Sequence, residues 1–269
     1  MKGISSQKIL TVREDSCVER DDNIVVEEPL EIRLKYFDSN SKYRISRVAV
    51  TMRTPGFDEE LAKGFLYGEG IISDFLEIEK TTLKDNVIEL TMNSKFRLAE
   101  DVLNRNFYTT SSCGVCGKAS IESINYDTQF LPWSDKSKVS KETICKVKEA
   151  LNNSQLLFNK TGGIHACGLF DLDGNLIDLK EDVGRHNAMD KLIGNLKKVP
   201  CNQCLILLSG RASFELVQKA SKAGLPILAA IGAPSTLAIQ LAQEMGMTLI
   251  GFIQNKGFNI YSCPERVEL

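Results

Sequence analysis

Two cysteines in one glycine-bracketed segment are the residues best suited to covalent chemistry. They are Cys113 and Cys116, within the run Ser111-Ser112-Cys113-Gly114-Val115-Cys116-Gly117-Lys118. A cysteine reacts as its thiolate, and a free thiol with a pKa of about 8.5 is mostly protonated at neutral pH unless its surroundings are electropositive. Backbone N–H groups and Lys118 are sources of such a field. A cysteine on a loop can also visit a donor protein and then a buried acceptor.

The spacing of Cys113 and Cys116 also allows other interpretations of this pair. A structural zinc site usually takes four ligands as two such pairs. A thioredoxin-like redox pair opens a helix within a βαβ unit, whereas Thr109–Gly114 follows β-rich sequence and has no periodicity of its own. The pair is therefore a candidate nucleophile, with a zinc knuckle, a redox pair or an idle surface pair as alternatives.

A second pair, Cys201 and Cys204, follows Pro200 and matches half of the zinc signature of nucleobase deaminases. The other half, His-x-Glu, has no counterpart, because neither His165 nor His186 is followed by the required glutamate. Cys204 also begins an apolar run typical of a strand rather than a helix. We therefore predict no metal site and interpret Cys167, Cys201 and Cys204 as buried or incidental, although a zinc site particular to this chain stays open.

Small residues recur where predicted strands end, and three of these segments open helices. The segments are Thr161-Gly162-Gly163, Asp182-Val183-Gly184-Arg185-His186, Ser209-Gly210-Arg211-Ala212-Ser213 and Gly232-Ala233-Pro234-Ser235-Thr236. Helix amino ends present unpaired N–H groups and partial positive charge, so they bind phosphates. Arg185 and Arg211 add forked donors that suit phosphate or a guanine edge.

Each segment taken alone is explained by ordinary helix capping. Three of them at the same end of one sheet predict an anion-binding cleft instead. Asp182 and His186 flank one turn, so either can orient Arg185 or contact the ligand directly.

The first part of the chain has the patterns of β-strands. A turn at Thr54-Pro55-Gly56 precedes a helix that begins near Asp58 with acidic residues in its first turn. From Lys95 to Ser134 the pattern loosens, and we expect a mobile connection between two lobes. Short alternating or β-branched runs predict strands at 24–26, 30–36, 43–52 and 86–92.

After Ser140 helices and strands alternate. Lys141–Asn153 predicts a helix, and a hairpin is expected around Asp173-Gly174. Strands alternating with helices at this spacing predict a parallel or mixed sheet covered on both faces. The fold class is thus α/β in this half and α+β overall. The later elements, alternately helix and strand, are predicted at 185–196, 204–208, 213–223, 227–231, 236–245 and 248–252.

Composition is that of an ordinary globular protein. The chain has 269 residues, 43% of them hydrophobic and 25% charged, with a formal net charge of −2. This balance argues against general nucleic-acid binding, which depends on clustered Lys and Arg. The amino end has no apolar signal region and no stretch is long enough for a membrane span. We therefore expect a cytoplasmic protein without nucleic-acid or membrane partners.

Long motifs resemble the formate dehydrogenase accessory sulfurtransferases, the FdhD family. The resemblance covers residues from about 20 to Tyr261. The matching stretches are Arg53–Gly56 with Asp58–Leu61, Glu69–Ile72, Ser112–Gly117, Thr161–Ala166, Glu181–Ala188 and Ser209–Glu215.

The resemblance implies a sulfur carrier. Such proteins accept persulfide sulfur from a cysteine desulfurase and pass it to the molybdenum or tungsten bis(molybdopterin guanine dinucleotide) cofactor of formate dehydrogenase. Cys113 would carry the persulfide with Cys116 beside it, and GDP-like nucleotides would mimic the cofactor. Arg185, His186, Ser209, Gly210 and Arg211 would bind the cofactor, together with the family's binding stretch: Phe252, Ile253, Gln254, Asn255, Lys256 and Gly257.

The resemblance also implies architecture. It predicts a homodimer with a β-rich lobe at 1–108, a mobile cysteine loop and linker at 109–139, and a cytidine-deaminase-like three-layer α/β lobe at 140–269. Phe57 departs from the pattern, because a histidine is common there. The alternative function is a non-catalytic chaperone that binds the molybdenum cofactor. The choice between molybdenum and tungsten, the identities of the desulfurase and dehydrogenase, and the role of Cys116 stay open.

Overall fold

The amino-terminal part contains a two-stranded hairpin and a five-stranded sheet covered by helix α1 (Asp58–Gly68). The computed structural model describes residues 3–38, 40–98, 137–196 and 201–269 and the backbone of 107–109. The hairpin strands are β1 (Ile4–Arg13) and β2 (Ser16–Val25), and the sheet strands are β3 (Glu28–Phe37), β4 (Tyr43–Arg53), β5 (Ile78–Lys84), β6 (Val87–Met92) and β7 (Phe107–Thr109). The sheet order is β5-β6-β3-β4-β7.

The hairpin was largely missed by sequence reasoning, which predicted a strand only at 24–26. Each of its strands has ten residues. Most of its side chains face solvent, and even Leu10 and Val12 are 60% and 72% exposed. Since neither face of the hairpin is buried, the usual alternation of apolar and polar residues is absent.

The carboxyl-terminal part is built around a six-stranded mixed sheet with the order β10-β9-β11-β12-β13-β14. Its elements, with the small β8–β15 pair, are β8 (Val139–Ser140), α2 (Lys141–Ser154), α3 (Phe158–Thr161), β9 (His165–Asp171), β10 (Leu176–Asp182), α4 (Arg185–Ile193), β11 (Cys204–Leu208), α5 (Phe214–Lys222), β12 (Ile227–Ala230), α6 (Thr236–Glu244), β13 (Thr248–Gln254), β14 (Gly257–Ser262) and β15 (Val267–Glu268). The β11–β12 and β12–β13 pairs are parallel, and the other pairs of the large sheet are antiparallel.

Helices cover both faces of this sheet. Ile206 and Leu208 of β11 pack with the helices α4, α5 and α6, whereas Leu205 and Leu207 pack with α2. The α/β prediction for this half is confirmed, and the likeness to cytidine deaminases stays a prediction. None of the helices in the described ranges combines the length and apolar character needed to cross a bilayer.

The two parts of the chain meet where α1 crosses α4. A Cβ added at Gly64 of α1 would lie 1.9 Å from the carbonyl oxygen of Asp190, and one at Gly194 would lie 1.9 Å from that of Glu60. The backbones therefore touch, which any larger side chain would prevent. Helix α4, predicted to run to Leu196, ends at Ile193 because the chain turns at Gly194, next to α1.

Replacing Gly64 with alanine should lower the free energy of unfolding by about 3 kcal/mol or more, because the added carbon overlaps backbone that cannot move aside. Urea unfolding followed by circular dichroism measures this. Gly257→Ala is the matched control, since an added Cβ there meets nothing within 4 Å. Equal free energies of unfolding for the two variants would contradict the crossing.

Candidate functional site

Loops from several strands are tied together at one end of the six-stranded sheet. Ser209 donates its N–H to the carbonyl of Ala166 at 3.0 Å, and Gly232 donates to Gly210 at 2.9 Å. Phe252 in turn donates to Gly232 at 3.2 Å. The segments after β11, β12 and β13 therefore form one continuous surface beside the start of β9. This is the carboxyl end of the parallel strands, where ligands of open α/β sheets commonly bind.

Close approach explains two glycines of this surface. A Cβ on Gly232 would lie 3.0 Å from the carbonyl oxygen of Gly210, and one on Gly210 would lie 3.3 Å from Nδ1 of His165. The missing side chains let the loops stack and bring the His165 ring against the loop that carries Arg211.

Cationic groups converge around His165. Burial lowers the pKa of His165, Arg185 lowers it further, and smaller contributions in the same direction come from His186 and Arg211. Asp182 acts in the opposite direction. A lowered pKa keeps this imidazole neutral at physiological pH. The field at the site is therefore positive without a charge on His165.

Neither arginine has an acidic ion-pair partner among the described residues. The Nε atom of Arg185 is buried and has no hydrogen-bond partner. Arg211 is exposed, and the described residues provide no ion pair for it. A buried donor without a hydrogen-bond partner destabilises a protein, and a bound acceptor removes that cost. The acceptors that a guanidinium prefers are phosphate and carboxylate oxygens. An anion placed between these side chains would supply the missing acceptor.

Asp182 lies in the core, which fits the first of its two predicted roles, the orientation of Arg185. It is 0% exposed. Its carboxylate accepts hydrogen bonds from the N–H groups of Thr54 at 3.1 Å and Gly184 at 2.9 Å, and it pairs with Lys191 at 2.7 Å. Asp182 therefore positions the turn that carries Arg185. Sequence reasoning missed Lys191. A lysine within the mostly apolar run 188–193 could have indicated it, and residues 187–193 are all buried.

His186 and Ser209 hold the loops in place. Nε2 of His186 lies 2.6 Å from Oε2 of Glu215 on α5, and 3.4 Å from Oγ of Ser213. The hydroxyl of Ser209 accepts a hydrogen bond from the N–H of Ala166 at 2.8 Å. The starts of α4 and α5 are thereby fixed to each other. Direct contact of His186 or Ser209 with a ligand stays a prediction.

The segment Phe252–Gly257 comprises the end of β13, the turn Asn255-Lys256 and the first residue of β14, and it joins the site at Phe252. Phe252 is 45% exposed and has a positive φ of 53°, a strained backbone for a bulky residue. It lines a cleft of 510 Å³ with Gln254 and Gly257. Ile253 is 1% exposed and packs in the core, and its contact with a ligand stays a prediction. Asn255 and Lys256 are exposed in the turn.

A larger cleft of 720 Å³ lies beside the cationic groups. His165, Val183 and Ser209 form its inner part, and its outer wall includes Gln155 and Phe158. Sequence reasoning did not identify these two outer residues, since they follow a helix end without a recognisable motif.

Two cysteines of the described ranges are poorly suited to act as nucleophiles. Cys167 and Cys204 are 0% and 1% exposed, as interpreted from the sequence. Burial raises the pKa of Cys204 to about 11 and also raises that of Cys167. Within the ranges that the structure covers, no three His, Cys, Asp or Glu side chains are placed to hold a metal ion. Cys113 and Cys116 lie outside the described residues.

Comparison with known proteins shows the family of this chain. The chain matches the FdhD/NarQ family over residues 25–268. It is 42% identical to a sulfur carrier protein FdhD of Streptomyces coelicolor, with 98% of this chain and 95% of that protein aligned. A protein with the same name from Sulfolobus acidocaldarius is also 42% identical, with 99% of each aligned.

A solved structure has the same fold. The crystal structure of a formate dehydrogenase accessory protein from Desulfotalea psychrophila matches with a TM-score of 0.75 and 25% identity, covering 98% of this chain and 99% of that one. Since sequence and fold agree over almost the full length, the chain belongs to the FdhD/NarQ family.

Proposed function

We propose that this chain is a sulfur carrier. Cys113 accepts persulfide sulfur from a cysteine desulfurase and transfers it to the molybdenum or tungsten bis(molybdopterin guanine dinucleotide) cofactor that formate dehydrogenase requires. The names of its relatives support this function. The observation that carries it is the group of His165, Arg185 and Arg211 at the end of the sheet. The homodimer is an expectation from the resemblance, and the cytoplasmic location is an expectation from the sequence.

The proposed substrate suits the charges of the site. Each half of the dinucleotide cofactor carries a diphosphate, and oxygen anions are the natural partners of guanidinium groups. Arg185 has an unpaired buried Nε, and Arg211 extends into solvent from the neighbouring loop. The start of α4 adds the N–H groups and partial positive charge of a helix amino end.

The chain between β7 and Cys113 is short. Thr109, the last residue of β7, pairs in parallel register with Thr51. The hydroxyl of Thr51 donates to Oδ1 of Asn187 on α4 at 3.1 Å. Three residues lie between Thr109 and Cys113, so the chain from one to the other spans at most about 14 Å. The strand that precedes Cys113 is therefore linked to α4, which supports Cys113 as the carrier.

Sulfur uptake is a thiol–persulfide exchange. The Cys113 thiolate attacks the outer sulfur of the desulfurase persulfide, the S–S bond of that persulfide breaks, and the desulfurase cysteine leaves as a thiolate. The outer sulfur and its proton are then on Cys113.

Release of this sulfur as sulfide needs two electrons, and in this proposal the Cys116 thiol takes part in supplying them. Its thiolate attacks the inner sulfur of the loaded Cys113, which forms a Cys113–Cys116 disulfide and expels hydrosulfide to the metal. The two thiols together provide both electrons. A separate reductant then regenerates the dithiol.

Cys113→Ala should abolish sulfur loading, because the attacking thiolate is gone. Intact-mass spectrometry after treatment with desulfurase and cysteine should show an added mass of about 32 Da on the wild type and none on the variant. Cys17→Ala is the control, since Cys17 is the exposed cysteine of the hairpin.

Cys116→Ala should load sulfur normally but release hydrosulfide much more slowly. An unloaded wild type that still binds the nucleotide would favour the cofactor chaperone over the carrier. Full formate dehydrogenase maturation by Cys113→Ala would refute the proposed role of Cys113.

Arg185→Gln should weaken GDP binding about tenfold or more, because a charge-assisted hydrogen bond is lost. Isothermal titration calorimetry at low and high salt measures the effect, and the variant's affinity should depend less on salt than that of the wild type. Arg20→Gln is the control, because Arg20 is an exposed arginine of the hairpin. Equal losses in both variants would place the nucleotide elsewhere.

GDP should raise the pKa of His165, because a bound phosphate favours the imidazolium form. The sequence contains two histidines, so both imidazoles can be followed by proton NMR, with His186→Asn to assign them. We expect the pKa of His165 to rise when GDP binds, with proton uptake on binding. If saturating GDP leaves the pKa of His165 unchanged, the nucleotide does not bind at this site.

A further inference from the structure

Two thiols lie within one tight turn at the start of β11. Cys201 opens the 3₁₀ turn Cys201–Gln203, and Cys204 is the first residue of the strand that follows it. In a 3₁₀ turn, residues three positions apart lie above one another, with their Cα atoms about 6 Å apart. Disulfides join cysteines whose Cα atoms are about 4.4–6.8 Å apart. The backbone of this turn therefore suits a disulfide without rearrangement.

Packing directs both side chains to the same place. Cys204 is 1% exposed and belongs to the hydrophobic cluster between the large sheet and the helices α4, α5 and α6. The half-buried Cys201 packs against that cluster. Burial raises the pKa of Cys204, and the charge of a Cys201 thiolate raises it further. The two side chains thus face one cluster, and one influences the ionisation of the other. Both are thiols in this structure.

A redox pair fits the turn better than a metal site. Structural zinc takes four ligands, and across the described ranges no third His, Cys, Asp or Glu is placed with this pair to hold an ion. The turn also lies at the beginning of β11, whereas the cationic site lies beyond its last residue, Leu208. The pair is therefore separate from the candidate binding site.

We propose that Cys201 and Cys204 form a reversible disulfide, which makes this turn a site of oxidative modification. The oxidant is a small disulfide of the glutathione type. Cys201, the more accessible thiol, reacts first, and Cys204 closes the bond. The inference concerns a second pair of cysteines and does not depend on the sulfur-carrier function.

The exchange takes place in two steps. The Cys201 thiolate attacks one sulfur of oxidised glutathione, the S–S bond breaks, and one glutathione leaves as a thiolate. Cys204 then loses its proton and attacks the Cys201 sulfur of the mixed disulfide, which expels the second glutathione. The two protein thiols lose two electrons and two protons, and one glutathione disulfide becomes two glutathione thiols. Because the second step is intramolecular, the proximity of Cys204 offsets its high pKa.

Burial favours the disulfide once it has formed. A disulfide is a strong oxidant when its surroundings stabilise the thiolates of its reduced form. Here burial raises the pKa of Cys201 and raises that of Cys204 to about 11. The reduced pair gains no such stabilisation, so reduction of the disulfide should need a strong reductant such as dithiothreitol.

The disulfide would restrain a turn to which another segment is bonded. Oγ of Ser137 donates to the carbonyl of Asn202, between the two cysteines, at 2.9 Å. Ser137 follows Cys113 and Cys116 in the sequence. Closing the bond therefore fixes the point to which Ser137 is attached.

Mass mapping of the full chain after treatment with oxidised glutathione tests the proposal. Remaining thiols are blocked before tryptic digestion under non-reducing conditions. The tryptic peptide 199–211 contains Cys201 and Cys204 and no other cysteine, so a disulfide within it appears as the loss of two hydrogen masses. Dithiothreitol should restore them. The exposed Cys17 should carry a glutathione adduct instead, which reports that the oxidant has acted.

Two variants separate the roles of the cysteines. Cys204→Ala should stop at the mixed disulfide, with glutathione retained on Cys201. Cys201→Ser should leave Cys204 unmodified in the folded protein, because Cys204 is buried. Cys145→Ala is the control, because Cys145 is a half-buried cysteine of α2. It should form the disulfide as the wild type does.

The wild-type peptide decides the outcome. If peptide 199–211 keeps both hydrogens, or retains glutathione on Cys201, under conditions that modify Cys17, the proposal is overturned. This result does not depend on the folding of any variant. Sulfur loading of Cys113 is measured on a different peptide, so the disulfide and the carrier function can fail separately.

The melting temperature tests the fit of the disulfide to the turn. In a chain with Cys113→Ala and Cys116→Ala, the oxidised form should melt at the temperature of the reduced form or above it, because a disulfide restricts the unfolded chain. A lower melting temperature would show that the bond distorts the turn and would contradict the geometric argument.

Discussion

The buried ion pair between Asp182 and Lys191 is the contact on which the site depends. The two side chains are 0% and 1% exposed and lie 2.7 Å apart. Nζ of Lys191 also donates to the carbonyl of Thr54 at 2.8 Å, while Asp182 accepts from the N–H of Thr54. Removing either partner would leave an isolated charge in the core, which typically costs about 3–5 kcal/mol. The pair therefore locks the turn after β4 against the start of α4.

A second buried pair fixes the other side of α4. Lys219 of α5 lies 2.7 Å from Asp190 and 3.5 Å from Glu69. Burial raises the pKa of Asp190 to about 6, and the attraction of Lys219 opposes that rise. With the glycine crossing of α1, this network leaves α4 little freedom to shift. The buried charges near the end of α4 therefore hold its first residue, Arg185, in position. A preorganised start costs less free energy when a ligand binds.

Different residues of the motif Glu181–Ala188 have different roles. Glu181 anchors the helix start that carries Phe158, and Asp182 and Asn187 hold the junction with the amino-terminal sheet. Arg185 keeps a buried donor, its Nε, without a hydrogen-bond partner. Arg53 resembles Asp182 in being a buried motif residue, since it pairs with Asp58 at 2.7 Å. Many residues of these motifs therefore have a structural role around the site.

Local features of the sequence predicted the fold class, most elements around the large sheet and an anion site, but they largely missed the hairpin β1–β2. Alternating helix and strand patterns predicted the covered sheet, glycines marked the turns at its end, and Arg185 and Arg211 indicated an anion. Only the tertiary structure decided which polar residues are buried in the frame and which line the cleft. Asp182 meets Thr54, 128 positions away, and Gln155 joins the cleft through the fold rather than a motif. Burial and pairing are properties of neighbours in space, and these neighbours are far apart in the sequence.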